Sequence, residues 1–303
     1  MSISAWAVTT GEMGMRTQAR GLAEAVADEV TELTVGSWPW NGPRATPPWP
    51  TVIVSCGRRS ARWALGARRA SGGRPLTVHV QDPRRDRDRF DLIIAMAHDR
   101  LPAAANVLTV ATALHDLTPN RLEAARGDWA ERFSGYGRPL IGVAIGGSLR
   151  GRPFTLADSD ALISGLQSAR GQGGLLITPS RRTPAETLAR LKAAFAGDDQ
   201  VFIWDGVGDN PYRAILASSD RLVVTSDSVS MMSEALASGH PVEILDLGFA
   251  RHVGFVQGLI DRGHARRFEG AREPAAGFGP VDAMAEAARA VRRLLQIRTG
   301  VSG

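Results

Sequence analysis

The segment Val223-Val-Thr-Ser-Asp-Ser-Val-Ser-Met-Met-Ser-Glu-Ala-Leu-Ala-Ser-Gly-His-Pro-Val242 carries, in order, the signals of a strand, a turn, a helix and a second strand. Its apolar start predicts a buried strand, and the Ser and Asp residues after Thr225 predict a turn and a helix N-terminus. Gly239 and Pro241 predict where that helix ends. Strand-helix-strand units of this kind build parallel sheets, so the segment predicts an α/β fold.

The same rhythm of short apolar runs and helical segments occurs along the whole chain. The predicted strands are residues 3–8, 51–55, 76–80 and 91–95, then 140–145, 175–178, 201–204, 221–225 and 241–245. Each run is bounded by Gly, Pro or charge, as is typical of strands in parallel sheets. A strand, a Gly-containing loop and a helix occur at 3–26 and again at 140–166, which predicts two Rossmann-like domains facing a cleft.

The length and composition fit two domains. The chain has 303 residues, 44% of them hydrophobic, which is enough for two ordinary cores. The Gly/Pro-rich stretch Ser134-Gly-Tyr-Gly-Arg-Pro139 resembles an interdomain linker. We therefore predict an N-terminal domain over 1–137, a C-terminal domain over 138–280, and a last segment, 281–303, whose amphipathic helix packs back across the cleft.

One helix start is marked by capping residues. In Thr183-Pro184-Ala-Glu186, the threonine is placed as an N-cap, the proline in the first turn, and the glutamate where it can bond back to the cap. These residues predict a helix over 184–196.

Charge and cysteine content limit the cellular compartments and the partners that fit this chain. The net charge of +5 is carried by arginine, because Lys192 is the sole lysine, and arginine suits phosphate and carboxylate partners. A GC-rich coding sequence explains the same bias without any partner. Cys56 is the one cysteine, and the chain has neither a signal-like start nor a long apolar run, so we expect a cytoplasmic protein without an internal disulfide.

Two loops that follow strands contain glycine. The first, Thr9 to Arg16, lacks a GxGxxG pattern and a following acid for a ribose, which argues against a dinucleotide site. It is either a plain turn or a pocket floor that offers Thr10, Glu12 and Arg16 to an acceptor. The second loop, Gly146-Gly-Ser148, predicts free N–H groups that could hold a phosphate.

Polar residues follow neighbouring strands of the second half. Arg181 and Arg182 come after one strand, where they are either solvated or aimed at an anion. Asp227, Ser230 and Glu234 recur at helical spacing and form one polar stripe. Such a stripe is often only solvated. At the carboxyl edge of a sheet, however, the helix N-terminus can hold a diphosphate while a carboxylate accepts ribose hydroxyls.

The chain resembles the mitochondrial-fission (elongated-mitochondria) family of bacterial and plant proteins, which is similar to glycosyltransferase-B enzymes such as the peptidoglycan glucosaminyltransferase. The resemblance rests on ordered pieces that span most of the chain: Gln18-Ala-Arg-Gly-Leu-Ala-Glu24, Ser55-Cys-Gly-Arg-Arg-Ser60, Gln81-Asp-Pro-Arg84, His98-Asp-Arg-Leu-Pro102, Gly146-Gly-Ser148, Thr178-Pro-Ser-Arg-Arg-Thr-Pro184, Trp204-Asp-Gly206, Asn210-Pro-Tyr212 and Thr225-Ser-Asp-Ser-Val-Ser-Met-Met-Ser-Glu234. It implies a glycosyltransferase-B-like α/β fold.

The resemblance also implies a donor site, with a nucleoside-diphosphate sugar of UDP type as substrate and no separate cofactor or metal. The residues implied to lie along the donor are Gly146, Gly147, Ser148, Ser180 and Arg181 at the phosphates, Ile203 and Trp204 at the base, Ser228, Val229, Ser230 and Met231 at the diphosphate, and Glu234 at the ribose. In the first loop, Thr10 stands where the family often has Asp, which weakens any acid or base role there.

Sugar transfer with inversion needs a general base. The candidates are Glu12, Asp82 and His98, with Asp99 beside them, and each is equally explained as a polar residue that closes a strand. The base stays unassigned. Asp86-Arg-Asp88 lies in a run of charges and Asp158-Ser-Asp160 opens a predicted helix, so each matches the D-x-D pattern of a metal site by residue order alone. A metal-dependent transferase is therefore disfavoured.

The charge pattern excludes one class of partner and suggests another. The arginines of residues 84–89 are cancelled by aspartates, and no nucleic-acid-binding module is visible. Five arginines fall on one predicted helix, and tryptophans lie nearby: Arg58, Arg59, Arg62, Arg68 and Arg69, with Trp38, Trp40, Trp49 and Trp63. They are either ordinary surface and core residues or a contact with anionic lipid at the inner membrane face.

Two functions follow. The first is transfer of a sugar from a nucleoside diphosphate to an unidentified acceptor, which would be lipid-linked or part of the cell envelope if the lipid contact is real. The alternative is a non-catalytic nucleotide-binding or membrane-associated scaffold that keeps the fold.

Overall fold

The structure is a computed structural model, which describes residues 2–36, 43–250, 252–271, 279–281 and 283–300, apart from the side chains of His98 and Thr299. The chain forms two compact units, Met1–Asp116 with Asp282–Gly303, and Leu117–Val281. The division precedes the one expected near residue 137, because the helix that precedes the Gly/Pro-rich stretch packs within the second unit. The last helix belongs to the first unit.

The first unit is a six-stranded, fully parallel sheet in the order β2-β1-β3-β4-β5-β6. Its strands are β1 (Ser4–Thr9), β2 (Glu29–Thr34), β3 (Val52–Cys56), β4 (Leu76–Val80), β5 (Leu92–Met96) and β6 (Val107–Val110). Its helices are α1 (Met13–Val26), α2 (Arg58–Ala70) and, from the end of the chain, α9 (Ala283–Thr299). All five residues of β3 are buried, which requires cover on both faces of the sheet.

The second unit is also a six-stranded parallel sheet, in the order β12-β11-β10-β7-β8-β9. Its strands are β7 (Leu140–Ile145), β8 (Gly174–Pro179), β9 (Val201–Ile203), β10 (Arg221–Thr225), β11 (Val242–Leu245) and β12 (Arg266–Arg267). Its helices are α3 (Pro119–Phe133), α4 (Leu156–Arg170), α5 (Ala185–Ala194), α6 (Tyr212–Ser218), α7 (Val229–Ala237) and α8 (Val253–Asp261). The prediction of two Rossmann-like parallel-sheet domains is confirmed.

In each sheet, the sequence numbers of neighbouring strands increase outward in both directions from one point, where the strand order reverses. In the first unit the reversal lies between β1 and β3, and in the second it lies between β7 and β10. Ligands of open α/β sheets bind outside the carboxyl ends of the strands at such a reversal. The loops that begin at Thr10 and Gly146 therefore occupy the two positions where a site is expected.

The apolar helix at the end of the chain packs within the first unit. Ala288, Val291 and Leu295 are buried, as the amphipathic pattern predicts, and α9 lies against α1. Arg292 donates from its guanidinium to the carbonyl of Ala25, close to the end of α1. The helix is thus an integral part of the fold of the first unit.

His79 is a fully buried imidazole in β4. Its Nδ1 lies 2.8 Å from the Ser55 hydroxyl, and its ring centroid lies 5.2 Å from that of Phe90. Burial away from water lowers the pKa of His79 to about 3, against a weaker opposite effect of Asp82. The native protein therefore holds this imidazole neutral.

We predict that acid destabilises the first unit through His79. The unfolded chain takes up a proton near its ordinary pKa of about 6.5 and the folded chain does not, so stability is complete above that pH and falls as pH decreases. At pH 5 the loss from this residue is about 2 kcal/mol. Urea unfolding at pH 7 and pH 5 measures it.

In His79→Leu this part of the pH dependence should disappear, while the Ser55 hydroxyl keeps its bond to the Val78 carbonyl (3.2 Å). An unchanged pH dependence in the variant would contradict the assignment.

Candidate functional site

The carboxylate of Asp227 lies at the strand reversal of the second sheet and is fully buried. Its Oδ1 accepts from the Thr225 hydroxyl (2.6 Å), and its Oδ2 accepts from the Gly147 N–H (2.6 Å). The Arg182 guanidinium completes the set at 3.1 Å from Oδ2. A buried carboxylate is tolerated when donors surround it in this way. Asp227 thus connects the loops that follow β7, β8 and β10.

The glycines of the β7 loop permit this close packing. A Cβ at Gly146 would lie 1.9 Å from Oδ2 of Asp227, and one at Gly147 would lie 2.0 Å from the carbonyl oxygen of Arg182. The N–H groups are used internally: Gly146 donates to Thr225 Oγ1 (2.8 Å), and Ser148 donates to the Arg182 carbonyl (3.2 Å). The N–H groups of this loop are therefore not free for a phosphate, contrary to the sequence-based expectation.

Hydroxyl groups fasten the β7 and β8 loops to each other. Ser180 Oγ donates to the Gly146 carbonyl at 2.9 Å, and Ser148 Oγ accepts from the Phe154 N–H at 3.0 Å. Thr183 donates to the same Gly146 carbonyl rather than capping α5. The predicted capping box is wrong: the N-cap residue is Pro184, which has no side-chain bond, because Thr183 is engaged with the β7 loop.

The two arginines after β8 differ in their surroundings. Arg182 is 37% exposed along its side chain, and it contacts Asp227 and, at 3.4 Å, the carbonyl of Ser148. Arg181 is exposed and makes no hydrogen bond or ion pair with any described residue. Of the two arginines that the sequence offers for an anion, the structure therefore brings Arg182 to the strand reversal and leaves Arg181, which the family resemblance implies, in solvent.

The N-terminus of α7 follows Asp227 directly. Ser228 is its N-cap, and the Ser228 hydroxyl accepts from the Met231 N–H at 3.4 Å. Val229 and Ser230 are half-buried, and their N–H groups make no hydrogen bond within the described part of the chain. Free N–H groups and the positive end of the helix dipole attract anions. Here, rather than in the glycine loop, donors remain available.

Glu234 lies one turn further along α7 and is half-buried. Its Oε2 accepts from the Tyr212 hydroxyl at 2.5 Å. Burial, with the neighbouring Glu234 carboxylate, raises the pKa of Tyr212 well above its ordinary value, so the phenol stays protonated and donates. The sequence predicts no role for Tyr212, and the structure identifies it as the residue that orients Glu234.

Ile203 and Trp204 end β9 on the far side of β8 from the strand reversal. Both side chains are half-buried, and the Trp204 indole N–H donates to the carbonyl of Val207 at 3.0 Å. The Trp204 backbone N–H donates to Ile177 in β8 (2.9 Å), which fixes the start of the loop. These residues lie at the same sheet edge as the other predicted donor residues.

The candidate bases of the first unit have different surroundings. Glu12 is exposed, and a hydrogen bond from the Thr10 hydroxyl is the main cause of its lowered pKa. The Asp82 side chain is 7% exposed, and this burial disfavours its charge, yet bonds from Arg87 and the Arg84 N–H lower its pKa overall. Asp82 therefore stabilises its own loop through ion pairs. The side chain of His98 lies outside the described residues.

A family model described as mitochondrial fission ELM1 matches residues 13–295. The chain belongs to the ELM1 family. It is 29% identical over 279 residues to the mitochondrial fission protein ELM1 of Arabidopsis thaliana, covering 82% of this chain and 65% of the plant protein. It thus spans slightly less than two thirds of that relative. An uncharacterized protein of Rickettsia prowazekii is 25% identical over 256 residues, with 72% of each chain covered.

Solved structures with the same fold include sugar-nucleotide enzymes. A Listeria monocytogenes protein described as a candidate UDP-N-acetylglucosamine 2-epimerase has a TM-score of 0.61 at 11% identity, covering 100% of this chain and 98% of its own. MurG of Acinetobacter baumannii (TM-score 0.52, 12% identity, 97% and 90% covered) and the glycosyltransferase SnogD of Streptomyces nogalater (0.51, 15%, 98% and 96%) are similar too. The fold of this ELM1 family member is therefore of the glycosyltransferase-B type.

Arginines of α2 form a separate feature of this ELM1 family member. Arg58, Arg62 and Arg69 recur at spacings that place them on one side of the helix, and all three are exposed. None of them makes an ion pair with a described residue. Arg58 and Arg59 occupy the first turn, where positive charge opposes the helix dipole, and the N-cap Gly57 has no side-chain bond to offset this.

The tryptophans near α2 have a structural role. The ring of Trp6 lies 6.0 Å from that of Trp49 and 5.8 Å from that of Trp63, between ring centroids. The Trp63 indole N–H donates to the carbonyl of Pro43 at 2.8 Å. Trp38 and Trp40 lie outside the described residues. In the part of the chain that the structure describes, no helix is both long and apolar enough to cross a bilayer.

Substituting Gly146 tests the packing at Asp227. We predict that Gly146→Ala lowers the free energy of unfolding by about 3 kcal/mol, because the new Cβ would displace a buried carboxylate from its donors. The matched control is Gly127→Ala in α3, where nothing lies within 4 Å of the new Cβ. That variant should be stabilised by about 0.5–1 kcal/mol. Equal urea midpoints for the two variants would contradict this account.

Proposed function

We propose that this chain is a metal-independent glycosyltransferase that moves a sugar from a nucleoside diphosphate, of UDP type, to an acceptor. The observation that carries the proposal is the Arg182 guanidinium, held 3.1 Å from the buried Asp227 carboxylate, next to the free N–H groups that begin α7. A cation beside a helix N-terminus at a strand reversal is an arrangement that favours an anionic ligand such as a diphosphate.

In this proposal the remainder of the donor would lie along the same edge. Glu234, oriented by Tyr212, would accept hydrogen bonds from the ribose, and the loop after β9 with Ile203 and Trp204 would flank the base. The descriptions of solved structures with the same fold favour UDP as the nucleotide, since these structures include UDP-GlcNAc 2-epimerases and a UDP-glucosyltransferase. The proposal itself depends on the geometry of Arg182 and the start of α7.

The chemistry that this site supports is displacement of a diphosphate. The acceptor oxygen attacks the anomeric carbon, the bond from that carbon to the diphosphate oxygen breaks, and the acceptor proton passes to a base. Arg182 and the α7 N-terminus would stabilise the charge that develops on the leaving diphosphate. Among the candidate bases, Glu12 is an ionised, exposed carboxylate, whereas Asp82 is engaged by arginines.

The α2 arginines support a second part of the proposal: a protein on the cytoplasmic side of a membrane whose acceptor is lipid-linked or part of the cell envelope. Exposed arginines near a membrane surface contribute about 1 kcal/mol each to binding anionic lipid. The same surface also fits the alternative function, a non-catalytic membrane-associated scaffold that retains the fold. Nucleotide binding and sugar transfer distinguish the two.

Nucleotide titration with matched variants tests the donor site. We predict that Arg182→Ala weakens UDP binding by about tenfold or more and leaves uridine binding within about twofold, because it removes a charged bond to the diphosphate. Glu234→Gln should weaken UDP and uridine alike. Arg181→Ala is the control with the same change of charge and should bind UDP as the wild type does. Calorimetry or thermal shift gives the affinities.

If the wild-type protein shows no response to UDP or to other nucleoside diphosphates, the donor site is refuted, and so is a nucleotide-binding scaffold. Binding of UDP without donor hydrolysis or transfer to lipid-linked acceptors would favour the scaffold over the enzyme.

Vesicle sedimentation tests the lipid contact. We predict that the double variant Arg58→Ala/Arg62→Ala partitions about 30-fold less onto vesicles containing anionic phospholipid, from a loss of about 2 kcal/mol. Arg289→Ala/Arg293→Ala removes the same charge from exposed positions of α9 and should change the partition by much less. Equal losses in both variants would mean that net charge alone, rather than α2, determines binding.

A further inference from the structure

A small cavity lies within the first unit at the carboxyl edge of its sheet. It has a volume of about 10 Å³, and its wall comes from α1, the ends of β4, β5 and β6, and the residues that follow them. This volume is about that of one water-sized sphere. The cavity is separate from the proposed donor site, because every residue around it belongs to the first unit.

Two residues of the wall each carry a buried polar atom without a hydrogen-bond partner among the described residues: Oε1 of Gln18 and Oγ1 of Thr112. Gln18 is 5% exposed and Thr112 is 0% exposed, so bulk water does not serve either atom. The amide orientation is fixed, since Gln18 Nε2 donates to the Gly14 carbonyl at 3.0 Å and a flipped amide would set two oxygens against each other. Leaving both atoms unpaired would be costly to the fold.

The rest of the wall is mainly apolar, so a polar occupant would be bound chiefly by Gln18 and Thr112. The apolar residues are Val80, Ile94, Met96, Val110, Ala113 and Leu114, and the polar ones are Gln81 and Asp99. Gln81 has a φ of 77°, a conformation uncommon for a residue with a side chain, and its N–H donates to the Ile94 carbonyl at 2.8 Å. Such a backbone persists where its surroundings hold it in place.

We propose that this cavity binds one water molecule, which donates a hydrogen bond to Gln18 Oε1 and exchanges a second with the Thr112 hydroxyl. The water links α1 to the segment that follows β6. It satisfies two buried atoms with one molecule, as buried waters in globular proteins commonly do. Since α1 begins beside Glu12, this link also fixes the helix that carries the first-unit carboxylate.

A double-mutant cycle on the full chain tests the bridge. Thr112→Val keeps the side-chain shape and removes the hydroxyl, so in the wild-type background it should lower the folding equilibrium constant about tenfold, by leaving the water with one partner fewer. In a Gln18→Met background, where the water has already lost its acceptor, the same substitution should change the constant by less than about threefold. The loss of the Gln18 bond to Gly14 cancels in this comparison.

The sign of the effect distinguishes the outcomes. If the cavity is dry, Thr112→Val removes an unpaired buried hydroxyl and raises the folding equilibrium constant in both backgrounds, which overturns the proposal. An equal loss in both backgrounds overturns the bridge as well. A crystal structure of the ligand-free protein should show one ordered water within hydrogen-bond distance of both atoms. The absence of electron density for a water at this place would also overturn the proposal.

Discussion

The buried carboxylate of Asp227 is the constraint on which the second unit's edge depends. Removing a carboxylate from water costs several kcal/mol unless donors replace the water. The donors here come from Thr225, Gly147 and Arg182, so the loops after three strands must approach one point. That approach leaves no room for a side chain at Gly146. It also holds Arg182, itself partly exposed, beside the start of α7.

The same constraint decides which groups remain for a ligand. The N–H groups of the loop that follows β7 donate to acceptors within the protein, whereas the first N–H groups of α7 make no hydrogen bond in the described chain. The first unit differs at the corresponding edge, where the exposed Glu12 carboxylate accepts from the Thr10 hydroxyl. The two units therefore share a reversal of strand order but place different groups there: a carboxylate in the first, and free helix N–H groups beside Arg182 in the second.

Sequence patterns predicted the strands buried on both faces, because such strands are continuous apolar runs. They missed β2, an edge strand in which Glu29 and Glu32 interrupt the apolar pattern, and the short β6 and β12. Glycine patterns do not distinguish an open backbone from a close approach, which is why the Gly146 loop was assigned to a phosphate. Adjacent side chains point in different directions, and only coordinates show that Arg182, rather than Arg181, meets Asp227.

The arginines of the chain differ in whether they are paired with a carboxylate, and this difference separates structural arginines from the others. Arg152 meets Asp158, Arg170 meets Asp198, and Arg221 is buried against Glu243. The exposed arginines of α2 have no such partners in the described chain, and two of them stand where the helix dipole disfavours them. Codon bias alone would distribute arginine without regard to pairing. Local arrangements that oppose stability are expected at functional sites, so the first turn of α2 is a place where an anionic partner would offset a local cost.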